Sequence, residues 1–319
     1  MIVDLTFSED QQLITDSVGS LIAERLPIDR LRDAEAGGAR AEVAAWRAFA
    51  GVGLFGLGVA EARGGVGYGA AEEAIAALAL GRALASPAVL AQVVAGHIAD
   101  DESRPAFLSG ASRAAFANLV SADQVQLIDG VGATHAVLMG DGVALVAIDA
   151  LVDRHPVAAL DDSVEIERAR IACPLPVRDT NADRASLLIA AYLSGIAAAT
   201  RDMAVDYART REQFGQPIGA FQAIKHSCAD MAVRAAAAEA QCYYAAVTFA
   251  ALDDPTKEVA IARLLATDAA LDNARANIQV HGGMGYTAEC DAHLFLKRAH
   301  VLAALGGGRR AEQRRIVSA

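Results

Sequence analysis

Arg209-Thr210-Arg211-Glu212-Gln213-Phe214-Gly215-Gln216-Pro217-Ile218-Gly219, with Phe221-Gln222 directly after it, is the stretch on which the reading of this chain turns. Ala185 to Arg211 reads as one long helix before it, and Phe221 to Leu252 as another behind it, so the glycines and Pro217 mark a tight connection. A second stretch, Gln279-Val280-His281-Gly282-Gly283-Met284-Gly285-Tyr286, closes a third helix that runs from Pro255 to Val280. Asp254 is the expected N-cap of that helix, Pro255 its first residue and Gly282-Gly283 its stop. A last helix is expected from about Cys290 to Leu305. Taken singly, the first stretch is a helix-turn-helix with an arginine at a helix end, and the second is a helix stop. Together they belong to an antiparallel bundle with short connections.

Outward from the bundle, the pattern changes. Ala136 to Met139 and Val143 to Ile148 read as buried strands joined by the Gly140-Asp141-Gly142 turn, and Val164-Glu165-Ile166-Glu167 alternates like a half-buried strand. Pro174 and Pro176 close this part. The first hundred residues return to helical spacing. Ser8 and Gln11 form a capping box ahead of Leu13, Ile14, Leu21 and Ile22, which predicts a helix from Ser8 to Arg25. Trp46 and Phe49 lie in a second helix, Gly64 to Gly69 form a loop, a third helix covers Ala70 to Leu84, and Ser86-Pro87 starts a fourth. The fold class is therefore mainly α with a small β domain. The expected divisions are 1–112, helical; 113–180, a short β domain; and 181–319, a helical bundle.

Composition narrows the function. At 319 residues and 54% hydrophobic content there is material for a large core. The longest uncharged apolar stretch, Leu187 to Ala199, falls short of the ~18 to 20 residues that span a bilayer, so no membrane span is expected. Asp4, Glu9 and Asp10 precede any basic group, which argues against a secretory leader and for a cytoplasmic protein. Cys173, Cys228, Cys242 and Cys290 form no Cys-x-x-Cys pair, so reduced thiols are expected and neither disulfides nor a metal site. A net charge of −11 and a pI near 5.1 exclude general attraction to nucleic acid or anionic membrane. A phosphorylated ligand must then meet local cations; Arg209 with Arg211 and Lys297 with Arg298 are clusters that could supply them, and the plain reading of any such pair is a solvated helix face.

Both quoted stretches, at their observed separation, resemble the cofactor-binding signatures of the acyl-CoA dehydrogenase family. Trp46 to Gly67, with Gly-Leu-Phe-Gly-Leu-Gly, Glu61 and Gly64-Gly65, resembles that family's N-terminal domain, so the likeness covers nearly the whole chain. It implies an acyl-CoA dehydrogenase fold and FAD as cofactor. Arg211 then offers a guanidinium fork to the pyrophosphate, beside the unobstructed backbone of Gly282 and Gly283. Gln279 would hydrogen-bond the adenylate half, and Gln213, Phe214, Ile218, Phe221 and Gln222 would contact the same half. In the family these residues reach the flavin of a neighbouring subunit, which implies an oligomer.

Two departures matter. The family's ring-binding loop of the Thr-Glu-Pro-x-Ala-Gly-Ser type and its later Trp-containing strand are absent; Trp46 is the only tryptophan. The catalytic Glu of a Tyr-Glu-Gly-Thr run is replaced by Gly306 in Leu305-Gly306-Gly307-Gly308. The alternative base position of some relatives falls at about Ala185, with Asp183-Arg184 two residues early. A glycine cannot remove a proton α to a thioester. The resemblance therefore implies a shortened, non-catalytic subunit of a hetero-oligomeric enzyme of the steroid side-chain type. It would lend half a FAD site to a longer acyl-CoA dehydrogenase subunit, with an acyl-CoA thioester as substrate and electron-transfer flavoprotein as acceptor. Two alternatives stand: a self-sufficient homodimer using Asp183 or another carboxylate, and a pseudoenzyme that binds CoA esters or a partner without turnover.

Overall fold

A computed structural model describes residues 5–32, 38–171 and 180–318. Pro174, Pro176 and Cys173 lie outside the described residues. The N-terminal segment forms α1 (Glu9–Arg25), α2 (Gly38–Gly51), α3 (Ala70–Arg82), α4 (Pro87–Ile98) and the short α5 (Arg104–Leu108). The expected caps are present: Ser8 Oγ accepts from the Gln11 amide while the Gln11 side chain accepts from the Ser8 amide, and Ser86 caps α4 ahead of Pro87. Each satisfies backbone donors that a helix start leaves open.

A six-stranded sheet follows: β1 (Ala114–Leu119), β2 (Gln124–Ile128), β3 (His135–Met139), β4 (Val143–Ala147), β5 (Leu151–Val157) and β6 (Ile166–Ile171), in the order β4-β3-β1-β2-β6-β5. Among the described residues only β1 and β3 pair in parallel. The β3–β4 hairpin is as the sequence predicts. The strand expected to begin at Val164 instead begins at Ile166, where pairing with Ile128 starts. Strands β1 and β2 escape pattern reading because their part of the sheet is covered on both faces, and β5 because it is exposed along most of its length and irregular between Val152 and His155. Phe116, Val137 and Met139 enter the main core, while Ala115, Ala117, Leu127 and Leu138 form a second core on the other side. Alternation marks a strand only when one of its faces is wet.

The bundle comprises α6 (Thr180–Thr210), a hairpin of β7 (Glu212–Gln213) and β8 (Gln216–Pro217), then α7 (Gln222–Thr248), α8 (Thr256–His281), α9 (Ala292–Ala304) and α10 (Gly308–Ser318). Three boundaries correct the sequence reading: α6 begins five residues before Ala185, the N-cap of α8 is Pro255 with Asp254 Oδ1 accepting from the Thr256 amide, and α10 was not expected. Asn181–Thr210 is one helix long and apolar enough to cross a membrane, longer than Leu187 to Ala199 suggested, and 72% of its most apolar window is buried inside the protein. Tyr192, Leu193, Ile196 and Ala197 are fully buried there, so the apolarity serves the core. The same core takes in Trp46, Phe116 and Leu302, which ties all three segments together.

Candidate functional site: an exposed hairpin beside a glycine turn

The end of α6 brings the two quoted stretches together. One turn before Arg211, Tyr207 stacks on His281 with ring centroids 4.1 Å apart, and His281 immediately precedes Gly282. His281 Nδ1 lies 2.9 Å from the Asn277 carbonyl, which fixes the ring. Beneath the contact, Ala204, Ala208, Met231 and Val280 form a small core against which Ile218 packs. The Arg211 carbonyl accepts from the Ile218 amide at 2.8 Å, so the hairpin folds back onto its own helix.

Phe214 and Gly215 make the two-residue turn of that hairpin with φ of +54° and +75°. Positive φ at both positions is what a hairpin-matching turn requires. A bulky side chain rarely accepts it, and the strain is of order 1–3 kcal/mol. Phe214 is nonetheless 92% exposed, with an edge contact to Phe221 at 6.1 Å. Within this chain the strain is not repaid by burial. Met284 and Tyr286, just past the glycine turn, are also exposed.

Gly282 has φ +62° and ψ −140°, a conformation that only glycine adopts readily. A Cβ built on Gly282 or Gly283 would meet nothing within 4 Å, whereas one on Gly219 would stand 2.9 Å from the Ala208 carbonyl and one on Gly285 2.6 Å from that of Ile278. Gly219 and Gly285 therefore permit close packing. The Gly282-Gly283 backbone faces open space. Gln279 is exposed one turn earlier, as are Gln213 and Gln222, and Arg211 is exposed with no ion pair among the described residues. Gln213 Nε2 donates to the Glu212 carbonyl at 2.8 Å, while the Arg211 guanidinium and the bare Gly282-Gly283 backbone are groups that could meet a phosphorylated ligand.

The second cation cluster is arranged differently. Arg298 is completely buried and all its bonds are internal: Nε to Asp161 at 2.7 Å, Nη1 to the carbonyls of Leu84 and Ala85 and to the Tyr192 hydroxyl, and Nη2 to Ser163. Burial opposes its charge, but Tyr192, Asp161 and Asp129 raise its pKa overall. Lys297 pairs with Asp162 at 2.6 Å. Arg298 is thus neither a cation open to a ligand nor part of the solvated helix face that is the plain reading of such a pair. Sequence cannot distinguish a solvated pair from one turned into the core.

Arg298 belongs to a hub that joins the three segments. Arg30 donates to Glu42 at 3.1 Å and to the carbonyls of Ala83 and Leu84; Glu42 also accepts from the Ser86 amide, and the Ser86 hydroxyl donates to Asp129. Burial pushes the Glu42 carboxyl up to about 7, against the pull of Arg30, and Asp129 up to about 6, against that of Arg298.

Gly306 has φ +65° and ψ 31°, and its N–H donates to Asn118 Oδ1 at 3.0 Å. Ala185, at the alternative base position, is fully buried. Asp183 is also buried, bonded to Arg315 and accepting from Thr256 at 3.1 Å, and the neighbouring Arg184 pairs with Glu73. Both side chains thus join α6 to its neighbours.

Comparison with known proteins places the chain. The acyl-CoA dehydrogenase N-terminal domain matches residues 8–103 and the acyl-CoA dehydrogenase C-terminal domain residues 177–319. The chain belongs to the acyl-CoA dehydrogenase family. It is 34% identical to acyl-CoA dehydrogenase IpdE2 of Mycobacterium tuberculosis across 98% of both chains, and 37% identical to acyl-CoA dehydrogenase FadE34 of the same organism over 87% of this chain but only 43% of that longer protein. Among solved structures, the ChsE4-ChsE5 complex from Mycobacterium tuberculosis superposes with TM-score 0.82 at 22% identity over 99% of this chain and 98% of that one. The Tcur3481-Tcur3483 steroid acyl-CoA dehydrogenase does so at 0.80 and 22% over 97% of each. At that identity the structures establish the fold.

Proposed function

We propose that this chain is the shortened, non-catalytic subunit of a hetero-oligomeric, FAD-dependent acyl-CoA dehydrogenase that desaturates a steroid-type acyl-CoA thioester. The observation that carries the reading is Gly306: no carboxylate stands at the base position, and its N–H is already engaged by Asn118. Asp183, the rival base, is shared between Arg315 and Thr256, which leaves it a structural group. The likeness to IpdE2 and to proteins solved as a two-component complex and as a steroid enzyme supports the partner and the substrate class.

In this reading Arg211 and the Gly282-Gly283 backbone would hold the FAD pyrophosphate, and Gln213, Gln222 and Gln279 would hold the adenylate half. Phe214 and Phe221 cover that half, which gives the strained, exposed Phe214 its burial. Ile218 seats the hairpin. When bound, flavin supplies the acceptance of hydride from the substrate's β carbon. The partner's carboxylate takes the α proton, with electron-transferring flavoprotein as onward acceptor. Residues 1–112 and 113–180 serve as the helical and β walls of the assembly and 181–319 as the cofactor-lending bundle. The free thiols Cys228, Cys242 and Cys290 suit a reducing cytoplasm.

Flavin content tests this. Purified alone, the chain should carry little flavin; co-expressed with a longer relative that keeps its Glu, it should gain flavin and thermal stability, because a ligand bound only by the assembly stabilises it by mass action. Stoichiometric flavin in the lone chain would favour the homodimer, and a colourless complex would favour the pseudoenzyme.

A further inference from the structure

The hairpin and the glycine turn are each built on a helix of their own. On α6, the Tyr207 carbonyl accepts from the Arg211 amide at 2.8 Å, and the Arg211 carbonyl accepts from the Ile218 amide. Gly219 lies so close to the Ala208 carbonyl that a Cβ would stand 2.9 Å from it. On α8, a Cβ at Gly285 would stand 2.6 Å from the Ile278 carbonyl. Among the described residues no hydrogen bond or ion pair runs from 207–222 to 279–286. What joins them is the small core of Ala204, Ala208, Met231 and Val280, together with the Tyr207 ring stacked on the His281 ring.

The stack is near-parallel, with 23° between the ring planes. Neither ring is free to turn away from the other. His281 Nδ1 faces the Asn277 carbonyl at 2.9 Å, and a carbonyl only accepts, so Nδ1 carries the hydrogen and the ring plane is set. Asn277 is itself buried, and its Nδ2 donates to Met203 Sδ on α6 at 3.1 Å. Tyr207 stands one helical turn before Arg211 and takes the Arg211 N–H on its own carbonyl. Any shift of the stack therefore moves Arg211 on one side and Gly282, the residue next to His281, on the other.

Given the FAD reading above, we propose that Tyr207 and His281 are a positioning pair, which sets the gap between the Arg211 guanidinium and the Gly282-Gly283 backbone and so governs how firmly the assembled protein keeps its flavin. Neither ring need touch the ligand. The pair acts through the spacing of the groups that do, since a site is only as well ordered as the side chains that support it.

Tyr207→Leu, His281→Leu, the double variant and Tyr207→Phe are compared in the complex with the longer relative, with Arg211→Ala as reference. Released flavin is read by its fluorescence after dilution, and the unfolding temperature of each lone chain is measured alongside. Each leucine variant should weaken flavin retention about tenfold, and the double variant no more than either alone, because both substitutions break one contact. Tyr207→Phe keeps the ring and should retain flavin as the native chain does. Unfolding temperatures should fall by at most ~4 °C, the order expected for one aromatic pair in a chain of this size. A contact that only packs the fold would lower those temperatures and leave retention as it was. Should one leucine variant fail to fold, the other and Tyr207→Phe decide together. Additive losses, a loss in Tyr207→Phe, unchanged retention in a folded leucine variant, or failure of both leucine variants to fold would overturn the proposal. A loss confined to Arg211→Ala removes only the positioning role, whereas unchanged retention in Arg211→Ala takes the FAD reading down with it.

Discussion

Around Arg298 every guanidinium bond ends on an acceptor inside the protein, whereas Arg211 stands in solvent beside a strained aromatic and a bare glycine turn. Both arginines lie near another basic residue, and both lie within the bundle segment. They differ in what surrounds them. A buried charge that is fully paired keeps elements in place, since its partners have nowhere else to go. An exposed donor with no partner contributes little to the fold and remains available to a ligand. The hub and the hairpin thus divide the molecule into a region that is finished within the chain and one that a cofactor or partner completes.

The largest effect is expected at the hub. Arg298→Met strips Asp161 of its partner, and removing one member of a buried pair is worth about 3–5 kcal/mol. Urea unfolding at neutral pH should show that loss, while Lys297→Ala, which breaks the more exposed pair with Asp162, should stay within ~1 kcal/mol. Similar losses from the two would erase the distinction.

Next comes pH. Glu42 and Asp129 have folded pKa values raised to about 7 and about 6, so between the ordinary carboxylate range and those values the folded state holds the extra protons. Their stabilisation is complete below the ordinary range and is lost as pH rises through about 6 and then 7. Glu42→Gln keeps the bonds from Ser86 and Arg30 without the charge, so it should gain on the native chain between pH 5 and pH 8, by up to about 3 kcal/mol at ~1.4 kcal/mol per pKa unit. Denaturant titrations of both proteins at four pH values measure the gap; a constant gap would show that Glu42 stays ionised throughout.

The smallest effect on the fold, and the sharpest on the ligand, belongs to the hairpin. Arg211→Ala should leave unfolding within ~0.5 kcal/mol of the native chain. In the assembled complex it should weaken flavin retention by one to two decades, the equivalent of about 1.5–3 kcal/mol for a charge-assisted bond. Released flavin, read by its fluorescence after dilution, reports this. Destabilised folding with unchanged retention would place Arg211 with Arg298.

Much of this was legible in the chain. The capping box at Ser8, the Ser86-Pro87 start and the glycine stop at Gly282 act through neighbours a few residues away, so local chemistry fixes them. The Arg211 stretch and the glycine turn could be quoted from residue identity and spacing, whereas Gly306 took its meaning only from the family resemblance. Tertiary structure decided the rest. Strands β1 and β2 were hidden because burial on both faces erases alternation, β5 because it is exposed along most of its length, and α10 because the partners of its Arg315, Asp183 and Ser186, lie more than a hundred residues away. Tertiary structure alone turned Arg298 inward and left Arg211 outside. The physical reason is common to all: local propensity acts over a turn of helix, but a charge's role depends on which distant atoms fold back to surround it.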